Sequence, residues 1–419
     1  MLPSKPKFFL LFARYIAAWM LLFAFTELAT ADQVDVWFGT STFENGPSKG
    51  IYHASFDSDK GKLSQATLAA EVKGPGFLAM HPNGKVLYAA AQEPSGPVVI
   101  AYQIKHVDGK ATLERVNSVA TGDGKAVHLS VDRSGKFLMT AQYGGGSTAL
   151  FDLADDGSIK SRRQLLKHEG GSGVVERRQN KPHAHWVGTS PDNRFVFVPD
   201  LGMDKVVIWK LDRAAATLTP HGFGICPPGS GPRHMKFDPS GKRIYVLNEL
   251  TLSITTFDYD AAAGTMTPVQ TVKTLSEATK ANEVFNSASE IRVHPSGKFV
   301  YSANRGNDSI SVFRVDLATG KLSRVEVEPI RGSWPRNFNL DPSGKWLIAG
   351  GQKSNTATVF KIDQSTGELT YVRQSTTVPH RSVFCSSESI GWGGSGQTTK
   401  LFSITARRWQ TFYTLSLAF

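Results

Sequence analysis

Apolar stretches separated by polar, glycine-containing turns recur along most of this chain. Each copy has a short apolar run, a turn of the form Asp/His-Pro-x-Gly-Lys or a degenerate version of it, and a second apolar run. The turns occupy residues 81–85, 132–136, 191–194, 238–242, 294–298 and 341–345. They stand about 50 residues apart, a period that indicates a propeller or another repeat array.

Each repeat is predicted to contain four β-strands. Two strand-like runs flank a turn, as at residues 235–237 and 243–247, and further runs follow, as at residues 253–257. Four antiparallel strands make one blade of a propeller. The alternating spacing of apolar residues, together with proline and glycine in the turns, disfavours a helical solenoid. Six full repeats and a partial copy at residues 34–56 therefore predict an all-β, seven-bladed β-propeller of four-stranded antiparallel blades.

The C-terminal segment does not fit the closure that this fold requires. The partial N-terminal copy resembles the outer strands of a seventh blade, so the C-terminus must supply the missing inner part or leave a sheet edge exposed. After Pro379 the chain is rich in serine and glycine and predicts a poor strand. We therefore expect the closing strand to be missing and interpret residues 384–419 as an aberrant tail produced by a frameshift. A genuine but unusual tail is the alternative.

The N-terminus carries the features of a secretory signal peptide. Three basic residues, Lys5, Lys7 and Arg14, precede an apolar run at residues 15–26, and the small residues 29–31 suit a signal peptidase. The run is short for a membrane span, which needs about 20 residues. We expect cleavage after Ala31, a propeller at residues 32–383, a periplasmic or secreted location and no stable membrane anchor after cleavage. An uncleaved anchor is the alternative.

Composition and charge narrow the class of function. The chain has 419 residues, 40% of them hydrophobic, with 39 glycines and 21 prolines, which suits a large core and many tight turns. Of the net charge of +11, about +2 lies at each end, and the rest is spread as single basic residues at turns. Two cysteines imply no disulfide framework. We predict no nucleic-acid partner and a monomer.

Stacking the repeats on their turns shows two polar columns that differ from blade to blade. Eight residues before the turn glycine, or before Asn193 in the degenerate copy, the repeats carry His185, Arg233 and Arg336, and the next position carries His234 and Glu290. Eight residues after the turn they carry Glu249 and Arg305. If the strand before the turn is innermost, these side chains converge on the central channel. The alternative is that they make only local hydrogen bonds and ion pairs.

Motifs around these residues resemble one known family. Residues 231–234 with 246–250, residues 289–297 with 302–306, and residues 182–185 with 198–202 look like the lactonase-type propeller family, which contains 6-phosphogluconolactonases and carboxy-muconate cycloisomerases. The likeness covers residues 34–379. It implies a channel catalytic set of His185, Arg233 and Glu249, with Arg305 as an anion-binding residue. Export and the missing closing strand depart from the family pattern.

These residue types suit hydrolysis of a sugar lactone by water in the channel. Glu249 or His185 can activate water, and Arg233 can stabilise the oxyanion. Arg305 or Arg336 can hold a substrate carboxylate or phosphate, with Glu290 and His234 as further binding candidates. No metal-ligand spacing is evident, so we predict no metal and no cofactor. A cycloisomerase using the same pocket and a non-catalytic scaffold are the alternatives.

Overall fold

The computed structural model describes residues 33–42, 46–107, 110–379 and the backbone of 390–394. The predicted signal peptide at residues 1–31, and residues 384–389 and 395–419 of the predicted tail, lie outside the described residues. The described part contains twenty-nine β-strands and one short helix, α1 (Glu277–Ala281). Within those ranges no helix is long and apolar enough to cross a membrane.

Seven sheets carry all of the strands, and six of them use four strands that follow one another in the chain. Three of these blades consist of β5 (Lys73–Met80), β6 (Val86–Glu93), β7 (Gly96–Val107) and β8 (Lys110–Ala120); β9 (Ala126–Val131), β10 (Phe137–Gln142), β11 (Ser147–Leu153) and β12 (Ile159–Lys167); and β13 (Gly188–Thr189), β14 (Phe195–Asp200), β15 (Lys205–Asp212) and β16 (Thr217–Ile225). The other three consist of β17 (Pro232–Phe237), β18 (Arg243–Asn248), β19 (Ser253–Asp260) and β20 (Thr265–Lys273); β21 (Ser287–Val293), β22 (Phe299–Arg305), β23 (Ser309–Val315) and β24 (Leu322–Pro329); and β25 (Pro335–Leu340), β26 (Trp346–Gly351), β27 (Thr356–Ile362) and β28 (Leu369–Thr377). All pairings are antiparallel, which confirms the predicted fold class.

The remaining blade joins the two ends of the described chain. It contains β1 (Gln33–Phe38), β2 (Gly50–Asp57), β3 (Lys62–Leu63), β4 (Thr67–Glu71) and β29 (Ile390–Gly394). The order is β29, β1, β2, β3, with β4 also paired to β2. The N-terminal copy thus supplies the outer strands, as predicted. The expectation that no closing strand would be found is wrong for residues 390–394, because their backbone pairs with β1 in spite of three glycines in five residues.

The repeated turn has a local physical cause. In the second of the six turns, Asp132 accepts hydrogen bonds at its Oδ1 from the backbone N–H groups of Lys136 (2.9 Å) and Phe137 (2.8 Å). Gly135 has φ 72°, a left-handed conformation that glycine adopts without a steric penalty. Asn193 takes the same role in the degenerate copy with φ 58°, a value that asparagine tolerates better than most residues. The turn motif therefore predicts every β-hairpin at the inner edge of a full repeat.

The first strand of each full repeat is the innermost, and neighbouring blades contact one another around the ring. Apolar residues pack between blades, as where Phe77 and Tyr88 of one blade share a cluster with Leu138 and Phe151 of the next. The Tyr88 hydroxyl also donates to Gly157 O of that next blade at 2.6 Å. This packing places the start of every innermost strand at one end of the central channel.

Closure by β29 makes a prediction about stability. Removing the chain after Pro379 should lower the melting temperature by several degrees or more, because the β1 edge would lose its partner and destabilisation of about 1 kcal/mol already shifts Tm by roughly 2–4 °C in a large domain. The comparison is a thermal melt of the full chain and of the chain ending at Pro379. A version in which an apolar strand read from another frame follows Pro379 tests the frameshift hypothesis, and it should melt higher than both. Equal melting temperatures for all three would contradict closure by this segment.

Candidate active site

One buried carboxylate at the end of the channel is shared by three arginines. Glu249 follows β18 and is 4% exposed. Its Oε1 accepts a hydrogen bond from Arg178 Nη2 at 2.7 Å, and its Oε2 accepts one from Arg233 Nη1 at 2.5 Å. Arg305 Nη2 lies 3.3 Å from the same Oε2. Three cations around one anion leave an excess of positive charge, so this group favours an anionic ligand.

Arg233 connects the carboxylate to the imidazole of His185. It lies on β17, where its Nε donates to Ser289 O of the neighbouring blade at 2.8 Å. Its Nη1 lies 2.5 Å from His185 Nε2, and His185 Nε2 lies 3.9 Å from Glu249 Oε2. Because a guanidinium only donates hydrogen bonds, His185 Nε2 accepts this one and the proton of the neutral ring lies on Nδ1. The predicted catalytic set is thus brought together in space.

Electrostatics fix the charges of these two groups. Burial alone raises the pKa of Glu249, but Arg233, Arg305, His185 and Arg178 outweigh it and hold the pKa well below its usual range. Burial and the neighbouring Arg233 lower the pKa of His185 well below its ordinary value, although Glu249 acts in the opposite direction. At neutral pH the site therefore holds an ionised carboxylate and a neutral imidazole.

Two residues of this site were missed by the sequence analysis. Arg178 lies in the loop between β12 and β13, which is anchored by the fully buried Gln179 through hydrogen bonds to Leu201 O and Asp204 Oδ1. Since the connection between blades varies in length from one repeat to the next, stacking the repeats on their turns could not find Arg178. Tyr143 stands eight residues after its turn glycine, the position that Glu249 and Arg305 occupy in their repeats. This shared position could have identified Tyr143 as a site residue.

Arg178 and Tyr143 form the solvent-facing side of the site. The Arg178 side chain is 35% exposed, whereas those of Arg233, Glu249 and Arg305 are nearly inaccessible. The Tyr143 hydroxyl lies 3.5 Å from Arg178 Nη2, and its ring centroid lies 5.3 Å from that of His185 in an edge-on arrangement. A ligand would reach the carboxylate and the imidazole past these two side chains.

His234 and Glu290 form a separate cluster deeper in the channel. Glu290 Oε1 accepts hydrogen bonds from His234 Nδ1 (3.0 Å), Arg292 Nη1 (2.9 Å) and the backbone N–H of Ile291 (2.9 Å), and Oε2 accepts one from Asn337 Nδ2. Burial lowers the pKa of His234 to about 4, with Glu290 opposing the shift. The two predicted binding residues are therefore hydrogen-bonded to each other. His234 also packs against the catalytic group, since its ring centroid lies 5.5 Å from that of His185.

Arg336 is the remaining predicted binding residue. It lies on β25, the innermost strand of its blade, and is 5% exposed. Its Nε is buried and has no hydrogen-bond partner among the described residues. The structure does not join it to Glu249 by an ion pair within the described part of the chain. Over the same ranges, no group of three His, Cys, Asp or Glu side chains could hold a metal ion.

Comparisons with known proteins agree with this architecture. The model of the family described as "Lactonase, 7-bladed beta-propeller" matches residues 35–385. A 6-phosphogluconolactonase of Bacillus subtilis is 36% identical over 300 residues, which cover 72% of this chain and 83% of that protein. A 6-phosphogluconolactonase of Formosa agariphila is 31% identical over 311 residues, 73% of this chain and 86% of that protein.

A solved structure is similar over most of its length as well. The periplasmic gluconolactonase of Pseudomonas aeruginosa superposes with a TM-score of 0.76 at 26% identity, covering 86% of this chain and 99% of that one. The family match, the relatives and the fold all point the same way as the motifs in the sequence. The chain belongs to the lactonase family of seven-bladed β-propellers.

Proposed function

We propose that this chain hydrolyses a sugar lactone carrying an anionic group, with 6-phosphogluconolactone as the first compound to test. Its family is described as lactonase, and its relatives include proteins named 6-phosphogluconolactonase. The observation that carries the proposal is the arrangement of Arg178, Arg233, Arg305 and His185 around Glu249. Opening a lactone needs an activated water and a cation at the developing oxyanion, and this group supplies both.

In the mechanism that we propose, Arg233 moves its Nη1 hydrogen bond from His185 to the carbonyl oxygen of the bound lactone. His185 Nε2 is then free to take a proton from the attacking water as its oxygen bonds to the carbonyl carbon. The carbonyl electron pair goes to the oxygen, where Arg233 stabilises it. Collapse of the intermediate breaks the bond to the ring oxygen, which takes the proton from His185 and becomes the hydroxyl of the product acid.

His185 is the better base of the two candidates from the sequence. The pKa values of both groups are lowered, but Glu249 keeps its arginine contacts and stays ionised, whereas the Nε2 lone pair of the neutral His185 is released when Arg233 moves to the lactone. The role that we assign to Glu249 is to hold Arg178, Arg233 and Arg305 in one place before the substrate arrives. Such preorganised cations stabilise a developing oxyanion without reorganisation during the reaction.

The direct test is a hydrolysis assay on the protein that begins at Asp32. We expect turnover of glucono-δ-lactone and faster turnover of its 6-phosphate, followed by release of acid. Added hydroxylamine should give no enzyme-dependent hydroxamate, because water and not a side chain attacks the carbonyl. Hydroxamate formation would replace water attack by an acyl-enzyme. Ring closure of a carboxylated muconate without lactone hydrolysis would instead support the cycloisomerase alternative.

Arg305→Ala should weaken binding of anionic lactones more than binding of neutral ones. Arg305 Nη2 donates to Ala288 O at 2.9 Å beside Glu249, so the guanidinium is held in place for a charged group of the substrate. We expect KM for the phosphorylated lactone to rise about tenfold or more, with a small change for the neutral lactone. Arg314→Ala, an exposed arginine on β23, is the control. Equal changes in KM for both substrates would remove Arg305 from anion binding.

We also propose that the protein is exported. The basic start, the apolar run and the small residues before Asp32 support this, and a periplasmic relative has the same fold. Mass spectrometry of the protein from its native host should find a mature N-terminus at or near Asp32 in the periplasmic or secreted fraction. Recovery of intact residues 1–31 on cytoplasmic protein would contradict export.

A further inference from the structure

We propose that the central channel holds a second binding site, for a small oxyanion such as sulfate or phosphate, at the level of Lys236, Arg292, Ser130 and Asn339. This site lies deeper in the channel than the catalytic group and is separated from it by the cluster of His234 and Glu290. It does not depend on the proposed reaction, because Arg292 binds Glu290 and Asn339, and Lys236 lies against Trp186, all outside the group around Glu249.

Strand register places the four residues at one level. Each stands on an innermost strand, five residues before the glycine of its turn, and each pairs with the residue four positions after that glycine. The pairs are Ser130 with Met139, Lys236 with Tyr245, Arg292 with Tyr301 and Asn339 with Ile348. Three residues along β17 separate Lys236 from Arg233, about 10 Å at the rise of a β-strand.

Positive charge at this level exceeds negative charge. Arg292 binds Glu290, whose two oxygens also accept hydrogen bonds from His234, Ile291 and Asn337. Lys236 has no carboxylate within 4 Å in the described part of the chain, and its Nζ lies 4.9 Å from the centroid of the Trp186 ring. Burial and Arg292 lower the pKa of Lys236 to about 7, with Glu290 opposing them. A half-buried ammonium with no carboxylate within 4 Å is unfavourable, and an anion would reduce that penalty.

Unused hydrogen-bond donors surround the same place. Ser130 Oγ, Asn339 Nδ2 and Trp186 Nε1 are buried and have no partner among the described residues. Asn339 is fully buried, and its Oδ1 accepts a hydrogen bond from Arg292 Nε at 2.9 Å. Buried polar groups are nearly always hydrogen-bonded, so two unpaired donors at this level, with a third on the Trp186 ring beside Lys236, indicate a ligand with several acceptors. A tetrahedral oxyanion supplies both those acceptors and the missing negative charge.

Sulfate is the best probe because its charge does not change between pH 5 and 9. Thermal melts at pH 6, where Lys236 is charged, would compare sulfate with chloride at equal ionic strength in four proteins: wild type, Lys236→Met, Lys298→Met and Arg305→Ala. Lys298 is an exposed turn lysine, so its substitution removes the same charge without touching the channel. A ligand that binds only the folded state raises Tm with concentration, and the general salting-out effect of sulfate is common to all four.

We expect the sulfate-dependent rise in Tm to be unchanged in Lys298→Met and to persist in part in Arg305→Ala. In Lys236→Met it should fall to what salting-out and the group around Glu249 give together. If Lys236→Met does not fold, Ser130→Ala should fold and bind sulfate roughly tenfold more weakly, the scale of one lost hydrogen bond to a charged group. Equal responses of Lys236→Met and Lys298→Met, or a wild-type response of Ser130→Ala, would overturn the proposal. Loss of the whole response in Arg305→Ala would also overturn it, because sulfate would then bind only at the catalytic group.

Discussion

Arg233→Ala should lower kcat for lactone hydrolysis by roughly a hundredfold or more, the scale observed when one oxyanion donor is removed. Arg233 is the only described residue that contacts both His185 and Glu249 through one nitrogen, so its loss removes the oxyanion donor and frees the imidazole at once. The measurement is steady-state turnover of the 6-phosphorylated lactone. Turnover should fall more than KM rises, since the contact strengthens in the transition state.

Arg233→Lys is the matched control for charge. A lysine ammonium keeps the positive charge but lacks the planar fork that reaches Ser289 O, His185 and Glu249 together. We therefore expect a loss of turnover close to that of the alanine variant. Because Arg233 is buried, thermal melts of both variants must show a folded protein before the kinetics are compared. Wild-type turnover in a folded Arg233→Ala protein would move oxyanion stabilisation to another cation of the channel.

Glu249→Gln should lower kcat by about a hundredfold and at the same time lower KM for anionic lactones. Removing the negative charge leaves Arg178, Arg233 and Arg305 without their shared counterion, so they bind an anion more tightly but are no longer held in one arrangement. A carboxylate that acted only as the base would instead lose turnover with KM unchanged. The two roles of Glu249 are thus distinguished by the direction in which KM moves.

Glu326→Gln is the control for the loss of one negative charge. Glu326 lies on the outer strand β24 and accepts a hydrogen bond from the backbone N–H of Leu369, away from the channel. We expect its kinetics to match those of the wild type. The tightening of anion binding in Glu249→Gln should weaken as salt is added, because screening reduces the attraction between exposed Arg178 and the substrate. Unchanged kcat in Glu249→Gln would leave the ionised carboxylate without a function in catalysis.

The repeat made the scaffold predictable because each turn has its own local cause. Asp132 and Gly135 define a hairpin through contacts within five residues of the chain, so their pattern survives in sequence and can be counted. The strand formed by residues 390–394 has no such local cause. It forms by pairing with β1, and the sequence of a glycine-rich segment does not indicate a partner strand more than 350 positions away.

The site was predictable only in part for a related reason. The stacked columns place Arg233 and Glu290 in neighbouring positions of different blades, but they do not show which partner each side chain meets. Arg233 reaches Glu249 after the adjacent strand, whereas Glu290 binds His234 of another blade and Arg292 two residues away. Arg178 was missed because it lies in a connection between blades whose length differs among the repeats, so it has no aligned position in the other blades.

Pairing of β29 with β1 also determines the order in which the fold can be completed. Six blades consist of strands adjacent in the chain, so their contacts are short-range and can form as the chain grows. The remaining blade pairs Val34 with Gly394, the pairing of highest sequence separation among the described strands. Loop-closure entropy makes such contacts slow to form. A nascent chain from which residues 390–394 have not yet emerged therefore lacks the strand that pairs with β1. The ring of blades can close only after these residues have left the ribosome.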